Sequence, residues 1–180
     1  DWNRLAGTTV VKDLIPYKFY TYYMSGEPFV GGVSDGNFGV TAQSLSHSSI
    51  PLTAQKGWFF FDDEVVCLGS GITSSSENET HSIIDQRIKA GAKTVVDGKE
   101  LSDAECKDNV LSDVSWIADE GVGYYFPNKA DVNINREIRE GSWSILNASR
   151  SKEKLKANIT SMYINHGANP DNSKYEYVIL

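Results

Sequence analysis

The sequence predicts an all-β fold, a sandwich or barrel of about a dozen short strands. Helical periodicity is nearly absent from the 180 residues. Turn formers recur at roughly eight- to twelve-residue intervals. Between them lie short runs of β-branched and aromatic residues, which suit a pleated, half-buried surface.

Taken in order, Tyr17 to Tyr23 reads as an aromatic strand. Glu27 to Val33 and Phe38 to Leu45 form a hairpin around Ser34-Asp35-Gly36-Asn37. Leu45 to Ala54 is a polar loop punctuated by Pro51. Gly57 to Ile72 reads as two strands, buried on both faces and hinged at Asp62-Asp63-Glu64. Those carboxylates are either a metal or acid/base site or a solvated hairpin turn, and their position at a chain reversal favours the turn.

Thr73 to Asn78 is a Ser-rich turn, and Thr80 to Lys89 alternates weakly as a strand. Thr94-Val95-Val96 followed by Asp97-Gly98-Lys99 is a short hairpin arm, and the charged residues 100–110 hold a helical turn. Ser115 to Ala118, Val122 to Phe126, Asn133 to Glu140 and Ser142 to Asn147 are further strands. Gly121-Val122-Gly123, Pro127-Asn128 and Gly141 separate them. Ala157 to Asn165 and Tyr175 to Leu180 complete the set. No repeat period and no domain linker stands out.

Hydrophobic residues make up 40% of the chain and aromatics 11%, enough for a globular core rather than a disordered segment. No apolar run approaches the roughly 20 residues of a membrane-spanning helix. The net charge of −7, from 24 acidic and 17 basic side chains, argues against a nucleic-acid partner. It also suits an acidic polysaccharide poorly, so most of the positive lining of such a cleft is expected from elsewhere.

Cys67 lies in an apolar strand, whereas Cys106 sits among charged residues and reads as exposed, a pattern of two free thiols. Two isolated cysteines and three separated histidines give no zinc spacing. His47, His81 and His166 each read as surface or turn histidines. Tyr124-Tyr125 and Tyr20, Tyr22 and Tyr23 read as packing stripes rather than sugar platforms. No Gly-x-Ser-x-Gly elbow exists, and Gly69-Ser70-Gly71 lacks the helix that a phosphate loop needs.

Trp58-Phe59-Phe60-Phe61-Asp62-Asp63-Glu64-Val65-Val66-Cys67-Leu68-Gly69-Ser70-Gly71-Ile72 closely resembles a run in the family of hyaluronate, chondroitin AC and xanthan lyases, polysaccharide lyase family 8. Three further segments resemble that family in its own order. They are Asp1-Trp2-Asn3-Arg4-Leu5-Ala6-Gly7-Thr8-Thr9, then Phe29 to Gly36 with Phe38-Gly39-Val40, and His166-Gly167 with Pro170 and Tyr175 to Ile179. Ala6 replaces the family's usual proline.

The resemblance implies the family's central domain, a supersandwich of large antiparallel sheets similar to galactose mutarotase. It implies a chain excised from a longer protein, without the N-terminal helical toroid or the smaller C-terminal β domain. The implied activity is β-elimination on a uronic-acid polysaccharide, chondroitin- or hyaluronan-like, by a secreted or periplasmic enzyme.

The implied partners are the acidic polysaccharide and the helical domain of the same protein. The family's catalytic Asn, His, Tyr and Arg come from that helical domain, and a supporting Glu and Asn come from just ahead of Asp1. No catalytic residue is therefore assigned here, and the isolated chain is expected to fold marginally and not to catalyse.

Trp2, Asn3 and Arg4 are the candidate substrate-binding residues, because they follow directly on that Glu/Asn segment. Trp offers a face for a sugar ring, and Arg a fork for a carboxylate or sulfate. The competing reading has Trp2 anchoring the loop and Arg4 pairing at the surface. No cofactor is expected, though a structural calcium would be sought first at Asp62 to Glu64 and in the Asp35 loop. The triplets at Asn78, Asn147 and Asn158 are read as unglycosylated, since the family is largely bacterial. A non-catalytic carbohydrate-binding or structural β-sandwich is the alternative function.

Overall fold

The computed structural model describes residues 3–13, 26–47 and 50–180. The strands are β1 (Thr9–Val11), β2 (Val30–Ser34), β3 (Gly39–His47), β4 (Ile50–Phe60), β5 (Val65–Ser74) and β6 (Glu79–Ile88). They continue with β7 (Thr94–Val96), β8 (Lys99–Leu101), β9 (Asn109–Asp119), β10 (Val122–Gly141), β11 (Leu155–Ala168) and β12 (Ser173–Ile179). All pair antiparallel in one sheet, in the order β1-β6-β11-β10-β12-β5-β4-β3-β2, with β9 also on β10, and β7 joining β9 to β8. The fold is all-β, as the sequence predicts.

Turn chemistry sets the hairpins. Asp97-Gly98 (φ 47 and 86) and Glu120-Gly121 (φ 49 and 82) place two consecutive residues in the left-handed region. That is the turn whose twist matches two paired strands, here β7–β8 and β9–β10. The acidic hinge closes with the amide of Phe61 donating to the carbonyl of Glu64 at 2.9 Å.

The sheet curls so that β4, β5 and β12 face β1, β6 and β11. Lys56 Nζ on β4 donates to the carbonyl of Gly7, just ahead of β1. The rings of His166 on β11 and Tyr175 on β12 lie 6.4 Å apart. Between the walls, Ile72, Ile117, Tyr124, Phe126, Val132, Ile134 and Met162 form the centre of the core.

Several expectations are corrected. Leu45 to Ala54 is not a polar loop, because β3 runs to His47 and β4 starts at Ile50. Ile50, Leu52, Ala54 and Lys56 alternate buried with exposed neighbours, the period of a half-buried strand. Gly57 to Ile72 does form two strands, but not covered on both faces: Phe59, Phe60, Phe61 and Leu68 are exposed.

Ser142 to Asn147 is not a strand. Trp143–Ile145 is a 3₁₀ turn, where Ser142 and Ser144 share a 2.8 Å hydroxyl hydrogen bond. Such local side-chain bonds compete with a ladder. Pro127 does not end its strand, since β10 passes through it with irregular pairing between Tyr125 and Ala130. A proline is tolerated there because the ladder asks for no donor. Cys106 is fully buried rather than exposed. Its amide donates to the carbonyl of Ser102 at 3.1 Å, a single helical turn as expected within residues 100–110, and this tucks the thiol inward. The Tyr17 to Tyr23 stretch lies outside the described residues.

Candidate functional site

The leading loop, residues 3–8, runs across β6. The amide of Gly7 donates to the carbonyl of Ile83 at 2.9 Å, and the amide of Ile83 donates to the carbonyl of Thr8 at 2.8 Å. Thr8 Oγ1 closes the loop on the carbonyl of Leu5 at 2.6 Å. Thr9 and Ser82 hydroxyls share a hydrogen bond of 3.0 Å, and His166 Nε2 lies 2.9 Å from the same Ser82 Oγ.

This crossing sets Arg4 over the ring of Tyr163, 4.5 Å from its centroid. Tyr163 pairs with Ile83, the residue the loop grips, and Asn165 pairs with His81. Rings at diagonal cross-strand positions meet, and Tyr163 stacks on His81 with centroids 4.3 Å apart and planes at 26°. Arg4 forms no ion pair or hydrogen bond among the described residues, so its guanidinium rests on the aromatic face with donors to spare.

The stack has a braced base. His81 Nε2 donates to Glu79 Oε2 at 3.2 Å, and Asn165 Nδ2 to Glu79 Oε1 at 3.0 Å. Since a carboxylate only accepts, the Nε2–H tautomer is fixed, leaving buried Nδ1 without a partner among the described residues. Burial, and then the nearby Arg4 charge, pull the His81 pKa down to about 4. Burial does the same for His166, also to about 4, assisted by His81. Both imidazoles are neutral at pH 7. The hydrogen bond from Asn165 and the one from His81 hold Glu79 below the usual carboxylate range.

Next to the stack the sheet splits. β10 pairs with β12 at Tyr124 and Tyr125, then leaves it and meets β11 from Asn133 onward. A groove of about 950 Å³ opens there, lined among others by Gln55, Lys56, Asn128, Asp131, Asn165 and Tyr175. Lys56 is 4% exposed. Its ammonium lies 5.4 Å from the Trp58 centroid and 5.8 Å from that of Tyr175. Burial lowers its pKa to about 8. Asn165 belongs both to the groove and to the base of the Arg4 stack.

A sequence model of polysaccharide lyase family 8, super-sandwich domain, matches residues 1–180. The chain belongs to polysaccharide lyase family 8. It is 32% identical to the chondroitinase-AC of Pedobacter heparinus over 183 residues, covering 100% of this chain and 26% of that protein. It is 34% identical to the xanthan lyase of Bacillus sp. strain GL1 over 157 residues, covering 81% of this chain and 17% of that protein.

The solved Paenibacillus xanthan lyase superposes with a TM-score of 0.92 at 34% identity, covering 100% of this chain and 18% of that one. A chondroitinase AC lyase solved in oligosaccharide complexes gives 0.86 at 29% identity, covering 99% and 26%. The chain thus spans about a quarter or less of the relatives it matches.

Within this family 8 domain, the candidate residues fall as follows. Trp2 lies outside the described residues. Asn3 is half-buried in the leading loop, and Arg4 follows it on the Tyr163 stack. His81 is not a surface histidine: β6 is covered on both sides from Thr80 to Asp85. His166 lies within β11, half-buried, rather than in a turn. His47 ends β3.

Tyr124 packs in the core as expected, and Tyr125 faces outward at 43% exposure. Tyr20, Tyr22 and Tyr23 lie outside the described residues. Asp62, Asp63 and Glu64 are exposed and join no group of three metal-ligating side chains among the described residues. Asp35 Oδ1 instead accepts from the amides of Asn37 (2.9 Å) and Phe38 (2.8 Å).

Sequence reading missed Tyr163, Asn165, Lys56 and Tyr175 as members of this site. The parity of Ile50, Leu52 and Ala54 would have put Lys56 on the inner face. Nothing local marks Tyr163, which is found only through the pairing of β11 with β6.

Proposed function

We propose that the full-length protein carrying this chain is a secreted lyase that cleaves a uronic-acid polysaccharide, chondroitin- or hyaluronan-like, by β-elimination. This domain walls one side of the cleft. The reading is carried by the family match over every residue of the chain. Relatives named chondroitinase-AC and hyaluronate lyase support the substrate class. The guanidinium of Arg4, without an ion pair among the described residues, supports a domain that meets an anionic chain.

In such an elimination a base takes the C5 proton of the uronate. The C5–H electron pair forms the C4–C5 double bond, and the C4–O bond breaks as an acid protonates the departing oxygen. Neutralising the carboxylate makes that proton acidic. His81 is poorly suited to either proton step, being fully buried with Nε2–H on Glu79, and His166 Nε2 lies against Ser82 Oγ at 2.9 Å. The base and acid are accordingly assigned to the helical partner domain, and anion binding at the β wall to Arg4 with Asn3 and Trp2.

The test is ultraviolet absorbance of the unsaturated product from the full-length protein on chondroitin sulfate, hyaluronan and xanthan, with residues 1–180 assayed in parallel. Product from the full-length protein alone is expected. Silence on all three polymers, with oligosaccharide binding retained, would replace this reading by a non-catalytic carbohydrate-binding domain.

A further inference from the structure

We propose that Tyr163 is a positioning residue whose ring, backed by His81, holds the Arg4 guanidinium toward a carboxylate or sulfate of the polysaccharide. The inference rests on the function proposed above and goes beyond it to a specific residue pair.

Arg4 is long and flexible, and an unanchored arginine loses considerable side-chain entropy when it grips an anion. Here that ordering is supplied before any ligand arrives. The loop is gripped on both sides of Ile83, and Lys56 fixes the Gly7 carbonyl. The guanidinium lies 4.5 Å over the Tyr163 ring, leaving its edge donors for a bidentate anion.

Tyr163 is itself held. Its ring stacks 4.3 Å from His81, which is fully buried, and Glu79 ties His81 to Asn165. A neutral imidazole behind the ring adds no second positive charge to repel Arg4. The phenol hydroxyl is not needed for this role; the π-face is.

The experiment uses the full-length protein, with wild type, Arg4→Ala, Tyr163→Leu, Tyr163→Phe and the Arg4→Ala/Tyr163→Leu double variant. The Kd for a chondroitin sulfate tetrasaccharide is measured by calorimetry, alongside kcat and KM. Tyr163→Leu should weaken binding about tenfold and raise KM with kcat nearly kept, while Tyr163→Phe stays near wild type. The double variant should bind no worse than Arg4→Ala, because the ring acts only through Arg4.

The inference is overturned if Tyr163→Leu leaves Kd unchanged, or if the two single losses multiply in the double variant. It is equally overturned if wild type does not bind the tetrasaccharide. Wild-type binding without cleavage, with this pattern of variants intact, would remove the lyase reading and leave the positioning role standing.

Discussion

Gly69 and Tyr175 are packed so tightly that a Cβ at position 69 would come within 2.1 Å of Tyr175 Cε1. The ring lies across the strand that pairs with its own, and the glycine is the space it occupies. Gly69→Ala should therefore destabilise the fold by about 3 kcal/mol through overpacking. Thermal unfolding should show roughly a 10 °C drop. Adding Tyr175→Leu should recover part of the loss; strictly additive losses would contradict the contact.

Stability should fall between pH 6.5 and 4. The folded-state pKa of His81 is about 4, below its ordinary 6.5, so the unfolded chain binds the extra proton across that window. Stability due to the neutral imidazole is therefore present above pH 6.5 and is lost as pH falls toward 4, on the order of 3 kcal/mol for His81. Urea denaturation from pH 7.5 to 4 reads this slope. His81→Phe, which keeps a ring beneath Tyr163, should remove about half of the slope, since His166 titrates over the same window, and an unchanged slope would locate the titration elsewhere.

Asp119 is a buried carboxylate paired with a buried arginine. Arg136 Nη2 lies 3.2 Å from Asp119 Oδ1, while Arg136 Nη1 reaches Asp103 at 2.7 Å and Nε donates to Thr160 Oγ1 at 3.0 Å. Asp119 is fully buried and Arg136 nearly so, and burial pushes the Asp119 pKa up. Asp119→Ala removes the one buried carboxylate of the pair and leaves Arg136 only Asp103 at the surface and the Thr94 and Thr160 hydroxyls, so a loss of about 3 kcal/mol is expected by chemical denaturation. Glu105→Gln, at an exposed pair with Lys99, should by contrast barely move the denaturation midpoint.

Both thiols should resist a disulfide reagent in the native protein and react together on unfolding. Cys67 and Cys106 are free and buried, and burial raises the pKa of each. Fast native labelling at Cys106 would show that its turn opens.

The sequence made the fold class, the hinge at Asp62 to Glu64 and the short hairpin arm from Thr94 to Lys99 legible, because these are local rules of backbone geometry. Pro51 and Pro127 misled for the same reason. A proline is read locally as a break, but it costs a ladder nothing where no donor is asked of it. Cys106 misled through its charged neighbours, which point outward while one helical turn takes the thiol in. Arg4 was legible as a candidate by its place after the family's motif. Its partner Tyr163 lies 159 positions away, and only the register of β11 on β6 brings the two together.

The pairing of β12 with β5 has a kinetic consequence. Tyr175 meets Gly69 and Val178 meets Val66, so this seam waits on segments more than a hundred positions apart along the chain. Such separation slows folding, since closure entropy is spent before any contact returns it. During synthesis the β4–β5 hairpin must therefore persist with one open edge, beside exposed Phe59, Phe60 and Phe61, until β12 leaves the ribosome. Chaperone dependence should track that interval.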